Sequence, residues 1–208
     1  MPTDRPATAD RRSAPIIAPK LHHATFLTLK LDEMVRWYGL VCGLHPVHYA
    51  ESAAWLTNDE ANHRIALIAH PAVHRPADKP TSAGLHHTAF EYATFGQWLD
   101  NYVRLRNHGI TPFMSLDHGI TMSMYYADPE GNGVEIQFDC FGDWAESKEW
   151  IWASREFAEN PIGEWFDPDK LVEAREQGLS EAEIHEGARA GKYRPENPPA
   201  DILLPEVY

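Results

Sequence analysis

The sequence predicts an α+β protein made of two βαβββ modules with a helical C-terminal extension. Three observations carry this expectation. The string Leu21-His22-His23-Ala24-Thr25-Phe26 returns 64 residues later as Leu85-His86-His87-Thr88-Ala89-Phe90, the mark of an internal duplication. Each copy opens a short alternating strand and is followed by a helical pattern. Three further strand-like runs come after each helix.

In the first module, about residues 20–70, the helical pattern covers Asp32 to Leu40, and Gly43 breaks it. Strands are expected near His45–Tyr49, Ala53–Leu56 and Arg64–Ala69. A linker containing Pro and His, about residues 70–83, leads to the second module, about residues 84–140. There the helix covers Phe95 to Asn107 and breaks at Gly109, with strands near Thr111–Met114, Thr121–Ala127 and Gly133–Phe138. Asp128-Pro129-Glu130-Gly131-Asn132-Gly133 supplies turn chemistry before the last strand.

Outside this two-module domain (20–142), residues 1–19 are rich in Pro, Ala, Arg and Thr and suggest a flexible arm. Residues 143–208 form a tail. Trp144 to Ala158 is patterned as one amphipathic helix, and Asp167-Pro168 opens another to about Gln177. Ser180 and Glu183 form a capping box for a third, to about Ala190, and an extended Pro-rich end begins at Tyr193. Such a tail has little core of its own, so it is expected to wrap the domain or a partner subunit. Its Trp144, Trp150, Trp152 and Trp165 suit packing, a dimer surface or the cover of a pocket.

Composition bounds the function. The 208 residues are 43% hydrophobic and carry a formal net charge of -13, which argues against nucleic acid or an anionic membrane as the main partner. Two cysteines, Cys42 and Cys140, define no disulfide framework, and with no apolar leader or membrane span the expected location is the cytoplasm. Twelve histidines are many for this length.

Alternation through Gly133-Val134-Glu135-Ile136-Gln137-Phe138 puts Val134, Ile136 and Phe138 on one face and Glu135 with Gln137 on the other. A carboxylate on that face meets either solvent or a polar cavity. If Phe26 and Phe90 face the helices, His22 and His86 share their side, and His23 and His87 point the opposite way. Two histidines and a carboxylate are the donor set that occupies one face of an octahedral metal and leaves positions open.

The segment Asp117-His118-Gly119 through Ser123-Met124-Tyr125-Tyr126-Ala127-Asp128-Pro129-Glu130-Gly131-Asn132-Gly133-Val134-Glu135, together with the paired Leu-His-His strings, resembles the vicinal oxygen chelate superfamily (glyoxalase, bleomycin resistance, extradiol dioxygenase), and within it the type I extradiol catechol dioxygenases. The resemblance covers about residues 20–140. It implies that the two modules form an open, cup-shaped β-barrel around a metal site. By motif, it implies His23, His87 and Glu135 as ligands of Fe(II), with Mn(II) an alternative ion. Three further groups match the family's positions around the substrate: His63 as general base, and His118 and Tyr125 as hydrogen-bonding groups. The implied reaction is ring cleavage of an aromatic diol with O2, and the aromatic tail favours a homo-oligomer. His45, His48, His70, His74, His108 and His185 match nothing in the motif.

Two other functions are compatible with such a fold. One is a non-oxygenase metalloenzyme of glyoxalase, epimerase or thiol transferase type. Glyoxalase-like members take a further Glu from the first module's last strand, where this chain has Ile65. The other is a metal-free drug-binding protein, which the complete His-His-Glu set disfavours.

Overall fold

A computed structural model describes residues 17–77, 79 and 82–199. The first 16 residues of the expected N-terminal arm, and the last nine of the Pro-rich end, lie outside the described residues. Both modules are present, each a mixed sheet with a helix. The first comprises β1 (Ala24–Thr28), α1 (Leu31–Cys42), β2 (His45–Ala50), β3 (Ala53–Thr57) and β4 (Ile65–Ala69), in the strand order β1-β4-β3-β2. The second comprises β5 (His87–Tyr92), α2 (Phe95–Asn107), β6 (Met114–Asp117), β7 (Thr121–Ala127) and β8 (Gly133–Asp139), in the order β5-β8-β7-β6. The first strand of each module runs parallel to its last, β1 with β4 and β5 with β8, and the other pairings are antiparallel. Among the described residues the two sheets remain separate and close no barrel.

The helices form where expected for identifiable reasons. On α1, Leu31, Met34, Tyr38 and Val41 recur at helical spacing and are buried, and Gly43 ends the helix in the left-handed conformation. Thr94 caps α2 by accepting from the Gln97 amide. One core spans both modules, with Phe26, Tyr38, Leu56, Trp98, Leu105, Ile136 and Phe138 all buried in it. A second set of contacts locks the modules at the Asp128 turn. Tyr38 donates to Asp128 at 3.2 Å, and Thr28 Oγ1 and the Leu29 amide donate to Glu130.

The tail joins the same core through Phe166, Leu171, Val172, Ile184, Ala188 and Tyr193. Its first helix departs from expectation. The span Trp144–Ala158 is divided into α3 (Trp144–Ala153) and α4 (Arg155–Glu159), because Ser154 takes an extended conformation and caps α4 through the Phe157 amide. Asp167 caps α5 (Pro168–Glu176), and Ser180 with Glu183 forms the expected capping box of α6 (Glu181–Arg189). The sixth strand lies three residues later than its sequence pattern suggests. An unexpected two-residue strand, β9 (Glu164–Trp165), adds to β6 at the sheet edge.

Candidate active site

Val134, Ile136 and Phe138 turn into the core beneath α2, so Glu135 projects from the opposite, concave face of the second sheet. Register then places its neighbours. Glu135 lies beside Ala89 on β5 and directly opposite Tyr125 on β7. His87, two positions before Ala89, shares the concave face. The result is a continuous polar group: Glu135 Oε2 is 2.9 Å from His87 Nε2, the Tyr125 hydroxyl donates to Glu135 Oε1 at 2.9 Å, and His118 Nε2 lies 2.8 Å from that hydroxyl.

The electrostatics fix where the protons sit. Burial opposes ionisation of Glu135, but hydrogen bonds from His87, Ser123 and Tyr125 outweigh it and hold the carboxyl below its ordinary range. Glu135 is therefore an acceptor. Burial, and then the charge of Glu135, push the Tyr125 phenol upward, so it keeps its proton and gives it to Glu135. His118 must then donate Nε2–H to the Tyr125 oxygen. Burial lowers the His118 pKa despite the pull of Glu135 and of the Ile162 carbonyl.

An apolar wall adjoins these groups. Met114, Leu116 and Tyr125 pack together, with Ile162 and Trp165 of the tail laid against them. Trp165 arrives there because β9 pairs with β6 in the register Leu116↔Trp165. Trp150 occupies the space over Gly119, where a Cβ would come within 2.6 Å of its ring. The tail thus reaches the concave face through Ile162 and Trp165. Trp144, by contrast, is exposed and bonds Glu91.

His23 and His63 meet in a different place. Their rings are 4.3 Å apart, and His22 completes a group whose ligating atoms all lie within 4.8 Å of one another. Burial, then the neighbouring His23 and His22, lower the His63 pKa. Arg64 anchors the cluster by donating to the His22 carbonyl while paired with Asp59. Among the described residues this is the one set of three or more His, Cys, Asp or Glu side chains so closely grouped. Within a single chain, His23 therefore does not share a ligand-sized space with His87 and Glu135. The side expected for His22 also differs, because β1 begins at Ala24 and alternation does not extend back to residue 22.

Sequence reasoning passed over Ile162 and named Trp165 only as one of four tryptophans suited to packing, a dimer surface or the cover of a pocket; both reach the site through the two-residue strand β9, too short to leave a periodic signal. It also set aside His185, which lies 3.3 Å from buried Asp117, the residue preceding His118.

Comparison with known proteins places this geometry in a family. Residues 20–136 match the model described as Glyoxalase/Bleomycin resistance protein/Dioxygenase superfamily. The chain belongs to that superfamily. It is 38% identical over 189 residues to biphenyl-2,3-diol 1,2-dioxygenase 3 of Rhodococcus globerulus, covering 91% of this chain and 99% of that protein. A second protein of the same organism, biphenyl-2,3-diol 1,2-dioxygenase 2, is 36% identical over 186 residues, covering 89% and 97%. Both matches run through the tail as well as the modules, and with these relatives the chain is an enzyme of the extradiol dioxygenase type. Among solved structures, a glyoxalase/dioxygenase from Nostoc punctiforme is similar at 18% identity and a TM-score of 0.49, covering 61% of this chain and 98% of that one. No helix among the described residues is long and apolar enough to cross a membrane.

Proposed function

We propose that the protein is an Fe(II)-dependent enzyme that opens the ring of an aromatic vicinal diol with O2, that His87 and Glu135 hold the iron, and that His23 joins them from a second copy of the chain, since one chain keeps the two sets apart. The observation that carries this reading is the linked set His87, Glu135, Tyr125 and His118 on one concave face beside an apolar wall. The donor chemistry fits the ion. Glu135 is ionised, His87 Nε2 already converges on it, and imidazole with carboxylate suits a divalent metal of this hardness. Manganese would suit the same donors. Bound there, the ion would supply charge that acidifies the diol hydroxyls and open positions for diol and O2.

The chain's own residues divide the remaining work. His63, held neutral by its surroundings, accepts a hydroxyl proton of the diol. In the site without substrate the Tyr125 proton is held by Glu135 and the His118 Nε2–H by the Tyr125 oxygen; turned from these partners toward the diol, the two donors would stabilise oxygen-centred charge as it develops. Met114, Leu116, Ile162 and Trp165 present apolar surface to the aromatic ring and exclude water. The relatives' substrate makes biphenyl-2,3-diol the first diol to try.

The test is anaerobic loading with ferrous ion, followed by air and a panel of substituted catechols. Oxygen uptake with a yellow ring-opened product is expected for at least one diol. Tight iron binding without oxygen uptake for any diol would overturn the oxygenase reading.

A further inference from the structure

The turn that carries His118 is gripped by a helix of the C-terminal tail. Asp117 closes β6 with its side chain fully buried. Its Oδ1 accepts from the Gly119 amide at 2.8 Å, so a single carboxylate ties together the main chain on both sides of His118. The same oxygen lies 3.3 Å from Nε2 of His185 on α6. A carboxylate oxygen only accepts, so Nε2 carries the proton in this contact. Oδ2 has no hydrogen-bond partner among the described residues. A carboxylate removed from water depends on the donors it keeps, and His185 supplies one from a side chain.

The sequence of α6 explains why His185 arrives there. Its capping box fixes where the helix starts, and buried Ile184 and Ala188 fix the face it turns to the core. The helix packs against β6 and β9, which brings His185 onto the end of β6. Arg189 lies one turn later on the same side of α6. Its guanidinium stands 5.2 Å from the centre of the Trp150 ring and pairs with Glu156. Trp150 in turn covers Gly119. So α6 reaches the 117–119 turn twice, directly on Asp117 through His185 and on Gly119 through Arg189 and Trp150.

Packing alone does not account for an imidazole at this place. His185 also borders a cavity of about 450 Å³, shared with Phe138, Cys140, Glu181, Glu186 and Arg189. A side chain that served only to fill the core would be closed in on every side. His185 has open space on one side and a buried carboxylate on the other.

We infer that His185 is a positioning residue for His118: by holding Asp117 it fixes the turn that aims the His118 imidazole at Tyr125. The inference rests on the role proposed above for His118. What is at stake is the 2.8 Å contact between His118 Nε2 and the Tyr125 hydroxyl. Hydrogen bonds of this kind are lost when the partners separate by much less than a bond length. His185 acts through Asp117 and the main chain of the turn, not on the diol.

The test compares His185→Leu, which fills similar space without a donor, with His185→Gln, whose amide nitrogen reaches where Nε2 stands. The first readout needs neither iron nor diol. Long-range proton–nitrogen spectra of the metal-free protein report the histidine rings, and the His118 signals are those missing from His118→Gln. His185→Leu should displace the His118 Nε2 resonance and leave those of His87 in place. His185→Gln should return it to its wild-type position. An unmoved His118 resonance in folded His185→Leu overturns the positioning role, whatever happens to Tm. Should His185→Leu fail to fold, His185→Asn takes its place, since its shorter side chain withdraws the donor but stays polar. An Asn variant whose His118 resonance coincides with that of the Gln variant then overturns the inference.

The second readout is turnover of the iron-loaded enzyme. His185→Leu should keep its iron and its KM for the diol and lose kcat by about tenfold or more, the scale of a small misplacement in an active site. His185→Gln should recover most of that loss. The two readings fail separately. Absence of turnover with every diol in the wild-type protein sinks the oxygenase reading, and the ring spectra still decide the role of His185. Turnover with an unmoved His118 resonance does the reverse.

Discussion

Tyr125 donates its hydroxyl to Glu135 at 2.9 Å from the directly opposed position on the neighbouring strand. Both side chains are buried, at 4% and 5% exposure, so neither can exchange this bond for water. Tyr125→Phe removes the donor from Glu135 and the acceptor from His118 Nε2, leaving buried groups unsatisfied at about 1–3 kcal/mol. We expect a folded protein that still takes up iron, with kcat reduced roughly 100-fold, in the range found when a single charge-stabilising donor is lost. Iron content and single-turnover rates on the same preparation separate the effects. Loss of iron in parallel with kcat would show that Tyr125 only supports the ligand.

The lowered pKa of His118 has a consequence for stability. Burial disfavours its charged form in the folded protein, whereas in the unfolded chain it titrates near 6.5. Below that value the unfolded state binds the proton more readily than the folded state. The contribution is therefore intact above pH 6.5 and declines as the pH falls from there toward the folded-state value. The wild-type protein should lose more Tm between pH 8 and pH 5.5 than a His118→Gln variant, measured by calorimetry on the metal-free protein. Equal losses would place the acid sensitivity elsewhere.

How far the sequence reveals this site depends on the range of the interactions involved. Alternation through β8 is a local property, so the concave placement of Glu135 and the core placement of Ile136 follow from the pattern alone. The duplicated Leu-His-His string likewise locates β1 and β5 and their histidines. The break at Ser154 is less legible, since apolar residues run on through Trp144–Ala158 and only backbone conformation separates α3 from α4. Trp165 reaches the site by pairing with a strand about fifty residues earlier, and no local periodicity encodes that. The separation of His23 from Glu135 is longer-range still. Motif matching groups His23 with His87 and Glu135, whereas the docking of Thr28 on Glu130 holds them apart within one chain.

Asp128 holds the turn on which that docking depends. It accepts from the Glu130 and Asn132 amides, from Asn132 Nδ2 at 2.6 Å, and from the Tyr38 hydroxyl of the other module. Asp128→Ala strips several donors of their acceptor at a site only 4% exposed, and a loss of about 3–5 kcal/mol is expected, as when one member of a buried charged network is removed. Chemical denaturation should register it as a shift in midpoint. Tyr38→Phe removes a single member and should cost about 1 kcal/mol. A double variant no worse than Asp128→Ala alone would show that the Tyr38 bond acts entirely through Asp128.

Gly163 offers a way to separate the tail's role in substrate binding from its role in packing. Its φ is +84°, and a Cβ there would meet the Asp117 carbonyl oxygen at 1.8 Å, so Ala is excluded both by backbone conformation and by contact with main chain that cannot yield. The only relief is for the segment to lift away from β6, which breaks the β9 pairing and withdraws Ile162 and Trp165 from Met114, Leu116 and Tyr125. The proposed ligands and the Glu135–Tyr125 bond lie on other strands. Gly163→Ala should therefore keep its iron and its metal-site spectrum. Its KM for an aromatic diol should rise about tenfold, the equivalent of roughly 1.4 kcal/mol of lost apolar contact. A smaller Trp165→Ala effect in the same direction is expected. If Gly163→Ala instead lowers kcat at unchanged KM, the tail positions His118 through Asp117 rather than walling the pocket, and a pH profile displaced from wild type would accompany that outcome.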